Sequence, residues 1–507
     1  MIEFFLNGER QCVDVPPDTS VLALLRETLG HCGTKEGCAS GDCGACTVAI
    51  AEPDAPPPAM WRTANACITP AHQLQGCHLV TVEGLARGEA LHPAQAAMVE
   101  YHASQCGFCT PGIVMSLFAL HESRRQVSTI PLAPQALEAA LGGNLCRCTG
   151  YRPIRDAAHA MAAQPDSRPT WADDPELETA WRALGRASHA THYHTPQHLA
   201  ELARLRCEHP QAPLVAGATD LWLGATQRLE QWPEVIDLRQ VAELRRIAAE
   251  ETGWWIGAAV TYQEWEPLLR THYPAFAHLL ERLGSAQIRH RATVGGNIAN
   301  ASPIGDTPPV LLALEARLRL AGPEGERELP LSAFFLDYRK TALRPGECIV
   351  AIWLPRPENG SQLRVWKLSK RREDDISTLL GAFHWRQTGE RLQDVRVAFG
   401  GMAATPLRVP TVEAALEGKP ATAEAFADAK RALRAALTPL DDVRGSADYR
   451  LTAAANLLER WALTLRPEPR RYPGGGARCV RSLNVCRPIT LALRRARRCP
   501  PPRPRCG

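Results

Sequence analysis

No stretch of the chain approaches the ~18 consecutive apolar residues that a membrane-crossing helix needs, so no span is expected. The opening residues, Met1-Ile2-Glu3-Phe4-Phe5-Leu6-Asn7-Gly8, carry an early acid and no basic stretch. That pattern predicts no secretory signal and a cytoplasmic location. No GxGxxG occurs, so a Rossmann dinucleotide site is not indicated. Internal repeats are also missing. Positive charge is scarce where it would matter. The net charge is +4, yet residues 467–507 hold 11 Arg, no Lys and one acid, leaving the preceding 466 residues at −6. Nothing there favours nucleic acid. What the chain does have is cysteine: 17 in 507 residues. Disulfides are disfavoured in the expected compartment, so clustered cysteines point to metal or redox chemistry.

At 507 residues, with 45% hydrophobic and 22% charged, the chain reads as several ordinary globular domains. Residues 1–82 read as β-rich. A strand from Ile2 runs into an Asn7-Gly8 turn with Cys12 to Val15 as its partner, and Ser20 caps a short apolar helix. Residues 83–165 carry helical periodicity at Pro93 to His102 and Pro111 to Ser123, with proline near each start. Residues 166–188, rich in proline and charge, read as a linker. Residues 189–362 and 363–466 are mixed in texture. Strands are predicted at Leu214 to Asp220, Trp254 to Val260 and Val395 to Phe399. In the last segment they alternate with helices at Thr422 to Leu437 and Ala447 to Leu465. Residues 467–507, with Cys479, Cys486, Cys499 and Cys506, are expected to be disordered. The preferred reading is a shifted reading frame in a GC-rich gene, the alternatives a zinc site or a basic interaction tail.

Eight cysteines form two groups of four before residue 150. Cys38-x4-Cys43-x2-Cys46, with Cys67 further on, is the spacing of a plant-type [2Fe–2S] ferredoxin. Two irons need four thiolates. Three from one short loop wrap one side of the cluster and a distant segment supplies the fourth. Gly37, Gly41 and Gly44 let the backbone approach the sulfurs. Structural zinc more often shows two CxxC-like pairs. The second group, Cys106-x2-Cys109 and Cys146-x-Cys148, suits either zinc or [2Fe–2S] by spacing. Both pairs lie just before predicted helices, where free N–H groups favour an anionic cluster. The isolated Cys12, Cys32, Cys77, Cys207 and Cys348 are expected to be buried, inert thiols.

Two glycine loops stand out later in the chain. One is Leu214-Val215-Ala216-Gly217-Ala218-Thr219-Asp220-Leu221 and the other Thr293-Val294-Gly295-Gly296-Asn297. Each could offer consecutive N–H groups to a pyrophosphate, with Thr219, Thr293 and Asn297 adding side-chain bonds and Asp306 meeting a ribose or ring N–H. Two ordinary turns between strands would explain the same pattern.

The motifs carry a resemblance. Gln105-Cys106-Gly107-Phe108-Cys109-Thr110-Pro111-Gly112 and Gly143-Asn144-Leu145-Cys146-Arg147-Cys148-Thr149-Gly150-Tyr151-Arg152-Pro153-Ile154 resemble the second cluster domain of the xanthine dehydrogenase/aldehyde oxidase family of molybdenum hydroxylases. Gly33-Thr34-Lys35-Glu36-Gly37-Cys38 resembles the same family's ferredoxin domain. The two glycine loops and Ser302-Pro303-Ile304-Gly305-Asp306 resemble its FAD-binding domain. Trp366 to Ser377 resembles the segment that xanthine dehydrogenases carry after it. The likeness covers residues 1–466.

It implies a multidomain α+β fold. A β-grasp [2Fe–2S] ferredoxin domain is expected first, then a helical-bundle [2Fe–2S] domain. An α+β FAD-binding domain of the PCMH/vanillyl-alcohol-oxidase type follows, then an α/β C-terminal domain like the carbon monoxide dehydrogenase flavoprotein. The implied metal ligands are Cys38, Cys43, Cys46 and Cys67 for one cluster and Cys106, Cys109, Cys146 and Cys148 for the other. The implied flavin contacts are Leu214 to Leu221, Leu283, Thr293 to Asn297, Asp306, Ile349 and Lys367. No residue of this chain is expected to perform the hydroxylation. Molybdopterin would sit on a large partner subunit, in an α2β2 assembly. Single electrons would pass from it through the second cluster and the first to FAD, which reduces NAD+. The implied reaction is hypoxanthine and xanthine to urate, with an aldehyde or N-heterocycle as the alternative substrate.

Overall fold

The computed structural model describes residues 1–53, 61–86, 88–124, 131–164, 174–186 and 190–465. The arginine-rich segment from residue 467 lies outside the described residues, as do 166–173 and 187–188 of the stretch expected to be a linker.

The N-terminal sheet has strand order Glu9–Val13, Ile2–Leu6, His78–Val80, Thr47–Ala51, Trp61–Asn65. Ile2–Leu6 pairs parallel with His78–Val80, and the other pairings are antiparallel. Asn7 and Gly8 both take positive φ, 52° and 91°. That is the two-residue turn whose twist matches a hairpin, so the partner strand begins at Glu9 and ends at Val13. Ser20 accepts a bond from the Ala23 N–H and starts Val21–Ala23, which continues as a π-helical turn over Leu24–Thr28. Val21, Leu22, Leu24 and Leu25 seal one face of the sheet.

Four helices follow: Pro93–Glu100, Thr110–Arg124, Pro134–Leu141 and Arg152–Ala162. Phe118 packs on Trp61, ring centroids 5.7 Å apart, so the helices share a core with the sheet's outer strand. The segment expected to be a linker contains a helix, Pro175–Arg182. Asp174 caps it, Pro175 begins it, and Trp181 buries itself near His78.

From Tyr193 onward a small parallel sheet orders Tyr193–His194, Val235–Asp237, Leu214–Val215. A five-stranded antiparallel sheet orders Gly325–Pro330, Arg317–Gly322, Cys348–Pro355, Gly253–Gly257, Ile247–Ala249. The last segment is an antiparallel meander, Ser361–Leu368, Leu379–Thr388, Arg391–Gly400 and Leu407–Arg408. Its helices Pro410–Leu416, Ala423–Ala436 and Ala447–Leu465 come afterwards. Strands and helices here are therefore sequential, where alternation was expected. An antiparallel meander needs only tight turns between strands, so no crossover helix intervenes. Trp461 from the last helix closes the core against Trp385 and Phe426.

Of the isolated cysteines, Cys77 and Cys348 are buried as expected, but Cys12, Cys32 and Cys207 are exposed. Cys12 lies on the edge strand of the first sheet and Cys207 in the last turn of Leu199–Glu208, positions whose outer faces meet water. No helix among the described residues is long and apolar enough to cross a membrane.

Candidate functional site

Cys38, Cys43 and Cys46 lie on one loop that enters strand Thr47–Ala51, and Cys67 on a 3-10 turn after Trp61–Asn65. The sulfurs of Cys46 and Cys67 approach to 3.3 Å, both buried. Cys38 Sγ accepts from the backbone N–H groups of Ser40 and Cys43, each at 3.4 Å. Hydrogen bonds from the Cys43 and Cys67 thiols pull Cys38 toward thiolate, and Cys67 does the same to Cys46. Cys43 and Cys67 are pushed up in turn, because their protons serve those bonds. Sulfurs close enough to trade protons, with N–H donors aimed at one of them, fit an anionic thiolate-held cluster.

In the second group, Cys148 and Cys106 sulfurs lie 3.6 Å apart, and Cys109 lies against Cys146. Cys106 and Cys148 are exposed, and Cys146 is buried. The Cys146 N–H donates to the Tyr151 hydroxyl at 2.7 Å, and that hydroxyl donates to the Asn144 carbonyl at 3.1 Å. Tyr151 reaches this place with φ at 67°, a strained conformation for a residue with a side chain. Thr149 Oγ1 meets the Cys146 sulfur at 3.2 Å. Donors surround this group too, and it fits the same kind of centre.

The two groups are joined. The Leu145 N–H donates to the Cys43 carbonyl at 2.8 Å, so a backbone bond links the neighbour of Cys146 to Cys43 itself. Gly44 makes this approach possible. It holds φ at 67°, and a Cβ there would lie 2.0 Å from the Gly143 carbonyl. A Cβ on Gly112 would lie 2.1 Å from the Gly44 carbonyl. Asn144 Nδ2 donates to that carbonyl at 3.1 Å, while its Oδ1 accepts from Ser116 Oγ at 2.6 Å. Gln287, 1% exposed and contributed by the flavin-binding part, extends Nε2 to Thr47 Oγ1 at 3.2 Å and to Asn144 Oδ1 at 3.3 Å. One buried polar knot thus ties together three parts of the chain.

The glycine loops meet at a cavity of about 330 Å³. Of the expected contacts, Leu214, Ala216 to Leu221, Thr293, Gly295 to Asn297 and Ile349 line it. Val215 and Val294 are buried behind the lining. A Cβ on Gly217 would lie 2.0 Å from the Arg291 carbonyl, so only glycine lets the first loop press onto the segment leading to the second. The N–H groups from Gly217 to Leu221 make no backbone hydrogen bond among the described residues. Those of Val294, Gly295 and Asn297 donate to the carbonyls of Val260, Ala258 and Thr293, and that of Gly296 to Thr293 Oγ1. The first loop therefore has donors to spare for a pyrophosphate and the second does not. A cavity lined by the first loop's unspent N–H groups fits the pyrophosphate of FAD.

Asp306, Lys367 and Leu283 do not line the cavity and cluster beside it. Lys367 Nζ lies 2.7 Å from Asp306 Oδ2 and donates to the Arg282 carbonyl, next to Leu283, at 2.8 Å. Ser377 Oγ donates to the other Asp306 oxygen. Thr307 Oγ1 donates to Asn297 Oδ1 at 2.8 Å and so connects this pair to the cavity wall. Helix Leu223–Gln227 follows the first loop. Its Gln227 donates to the carbonyls of Cys38 and Ala39, both at 3.0 Å. Cys46 and Cys67 share a hydrophobic cluster with Val215, Ala218 and Trp222. The first thiol group therefore lies between the second group and the flavin cavity.

Sequence patterns had not singled out Gln227, Gln287, Ser116 or Thr47. A glutamine or hydroxyl joins such a knot through partners far along the chain, so no local signal marks it. Asn144 was visible only as part of its motif.

Fold and site define an iron–sulfur flavoprotein of the electron-transfer kind. Residues 4–72 match the 2Fe-2S iron-sulfur cluster binding domain and 81–159 the [2Fe-2S] binding domain. Residues 187–357 match the FAD binding domain in molybdopterin dehydrogenase, and 364–465 the CO dehydrogenase flavoprotein C-terminal domain. Xanthine dehydrogenase of Drosophila subobscura is 33% identical over 474 residues, covering 81% of this chain and 35% of that protein. Xanthine dehydrogenase/oxidase of Gallus gallus is 30% identical over 569 residues, covering 96% and 41%. A carbon monoxide dehydrogenase from Hydrogenophaga pseudoflava, lacking the Mo-pyranopterin moiety of its molybdenum cofactor, is 33% identical with TM-score 0.51, covering 53% of this chain and 94% of that one. Quinoline 2-oxidoreductase from Pseudomonas putida 86 is 26% identical with TM-score 0.51, covering 54% and 96%. The chain belongs to the xanthine dehydrogenase family of molybdenum hydroxylases, as its electron-transfer iron–sulfur and FAD-binding region. It spans about a third of the length of the xanthine dehydrogenases it matches.

Proposed function

We propose that this chain is the electron-transfer subunit of a xanthine dehydrogenase that uses NAD+, working with a partner that holds the molybdopterin. The observation that carries this reading is the series of sites. Exposed Cys106 and Cys148 open to the surface, the Leu145–Cys43 bond leads inward, and Gln227 joins the first thiol loop to the flavin-binding part. When bound, the clusters supply one-electron centres, and the flavin accepts single electrons and releases a hydride. Cys38, Cys43, Cys46 and Cys67 would ligate the inner cluster, and Cys106, Cys109, Cys146 and Cys148 the outer one. The first glycine loop would cradle the pyrophosphate. Lys367 and Asp306 would hold their charges beside the cavity, with Ser377 and the Arg282 carbonyl completing their bonds. Val99, Phe108 and Leu145 are exposed in the segments around the outer thiols and would dock the partner.

The test is co-purification of the full chain with the molybdopterin protein it captures, followed by xanthine and NAD+ turnover. Urate formed with NADH is the expected result. Turnover of an aldehyde or N-heterocycle without xanthine would move the assignment to that branch. A purified chain lacking flavin absorbance and reduced-cluster EPR signals would end the electron-transfer reading.

A further inference from the structure

A small cleft between the N-terminal sheet and the flavin-binding part adjoins the flavin cavity, sharing Ala259 and Thr293 with it, while its charged lining serves neither that cavity nor the thiol groups. It encloses about 30 Å³ and is bounded by Glu52, Arg62, Arg239, Arg245, Glu264 and Arg291, among others. Four guanidinium groups face two carboxylates there, a surplus of two positive charges. The outer partners leave that surplus unchanged: Arg186 lies 3.3 Å from Glu52, and Asp237 lies 3.3 Å from Arg239.

Both carboxylates are already engaged. Glu52 lies between Arg186 and Arg239, the latter at 3.7 Å, and Glu264 meets Arg245 at 3.2 Å and Arg62 at 3.7 Å. Burial alone would raise the Glu52 pKa, but the surrounding guanidiniums of Arg186, Arg239, Arg62 and Arg291 bring it down to about 2. Arg291 is left over. It is 9% exposed, and its Nη2 donates to the neutral side chain of Gln73. Its Nε is buried and donates to no protein group among the described residues. Burial, with Arg239 adding to it, pushes the Arg291 pKa down to about 10. His290, which also borders the cleft, is held near 4 by burial and stays neutral, so it removes none of the excess charge. Thr261 Oγ1 is occupied with Glu264 at 2.9 Å.

The geometry points to a binding site for one small monovalent anion of halide size, in which Arg291 Nε is the buried donor. The volume holds about one water-sized occupant, too little for a phosphate group. Water would satisfy the Nε–H but leave the surplus of two charges untouched, whereas chloride accepts from the Nε–H and cuts that surplus to one. Occupancy would also clamp the inner-cluster part to the flavin part. Arg62 lies on the first sheet and Glu52 directly after its strand Thr47–Ala51, and the Arg291 carbonyl is the group that Gly217 packs upon.

The experiment uses the full chain with its cofactors. Crystals soaked in sodium bromide should show anomalous density within hydrogen-bonding distance of Arg291 Nε. Thermal unfolding at matched ionic strength should give a melting temperature about 1–3 °C higher in chloride than in gluconate. That difference should vanish in Arg291→Gln. If that variant does not fold, Arg245→Gln at the exposed mouth is expected to lower bromide occupancy several-fold. Density explained by water, with no anomalous signal and equal melting in the two salts, would overturn the proposal.

Discussion

Lys367 and Asp306 meet where almost no water reaches them, and this sets what either can lose. Removing one partner of a buried pair leaves the other charge uncompensated, which costs about 3–5 kcal/mol. Asp306→Asn should therefore lower the melting temperature and reduce flavin content together. Unchanged melting would show that Lys367 is neutralised by another group. Two buried histidines set the acid limit. Burial holds His78 near 3 and His290 near 4, against 6.5 in an unfolded chain. His78 Nε2 accepts from the Gly8 N–H and so carries no proton, while burial keeps His290, whose Nδ1 donates to the Thr63 carbonyl, neutral as well. The unfolded state takes up the proton first. Stability is then complete above pH 6.5 and falls as pH drops toward 4, by about 1.4 kcal/mol per pH unit for each group. Denaturant unfolding between pH 7 and 4.5 should show such a slope, to which buried His72 and His384 add, and His290→Asn should reduce it.

Among elements, the decisive contact is the loop of the first thiol group pressed against the start of helix Thr110–Arg124 and the segment before Cys146. Gly44→Ala would place a methyl group on the Gly143 carbonyl and strain a positive φ. The expected result is a weaker magnetic interaction between the two reduced clusters in EPR, with each cluster still assembled. Gln287→Ala removes the donor shared by Thr47, Ser116 and Asn144. Thr47 and Asn144 keep each other and Ser116 as partners, so the loss of the bonds from Gln287 costs about 1 kcal/mol. Slower electron arrival at the flavin should accompany it, measured by rapid mixing. An unaltered rate would reduce the knot to a purely structural role.

Over the whole molecule, the proposed order of centres makes the two thiol groups unequal. Cys67→Ser should abolish the EPR signal of the inner cluster and isolate the flavin from an electron source at the surface. Cys148→Ser should remove only the outer signal and leave flavin reduction by NADH intact. Loss of both signals from either change would contradict two independent centres. Phe108 is nearly half exposed between two outer thiols, while its ring edge approaches Gly37 in the inner loop. Phe108→Ala is accordingly expected to weaken partner binding about tenfold, measured by titration, because a buried aromatic anchor is a common hot spot.

Much of the chemistry was readable in one dimension. Cysteine spacing is a local covalent fact, and a loop with thiols at x4 and x2 can wrap one side of a cluster whatever surrounds it. Caps at Ser20 and Thr422, the Asn7-Gly8 turn and the helix starts at Pro93 and Thr110 depend only on neighbours, and they stand near their expected places. The outward-facing Cys12, Cys32 and Cys207 did not, because burial is a property of the packed surface. Nor did the sequence distinguish the two glycine loops. Only pairing with Val260 and Ala258 consumes the N–H groups of the second loop and leaves those of the first unspent. The adjacency of Cys43 to Leu145, the knot at Gln287 and the surplus of arginines around Arg291 join residues a hundred or more positions apart. Tertiary structure alone decided them, since hydrogen bonds and charges act over ångströms of space and not over distance along the chain.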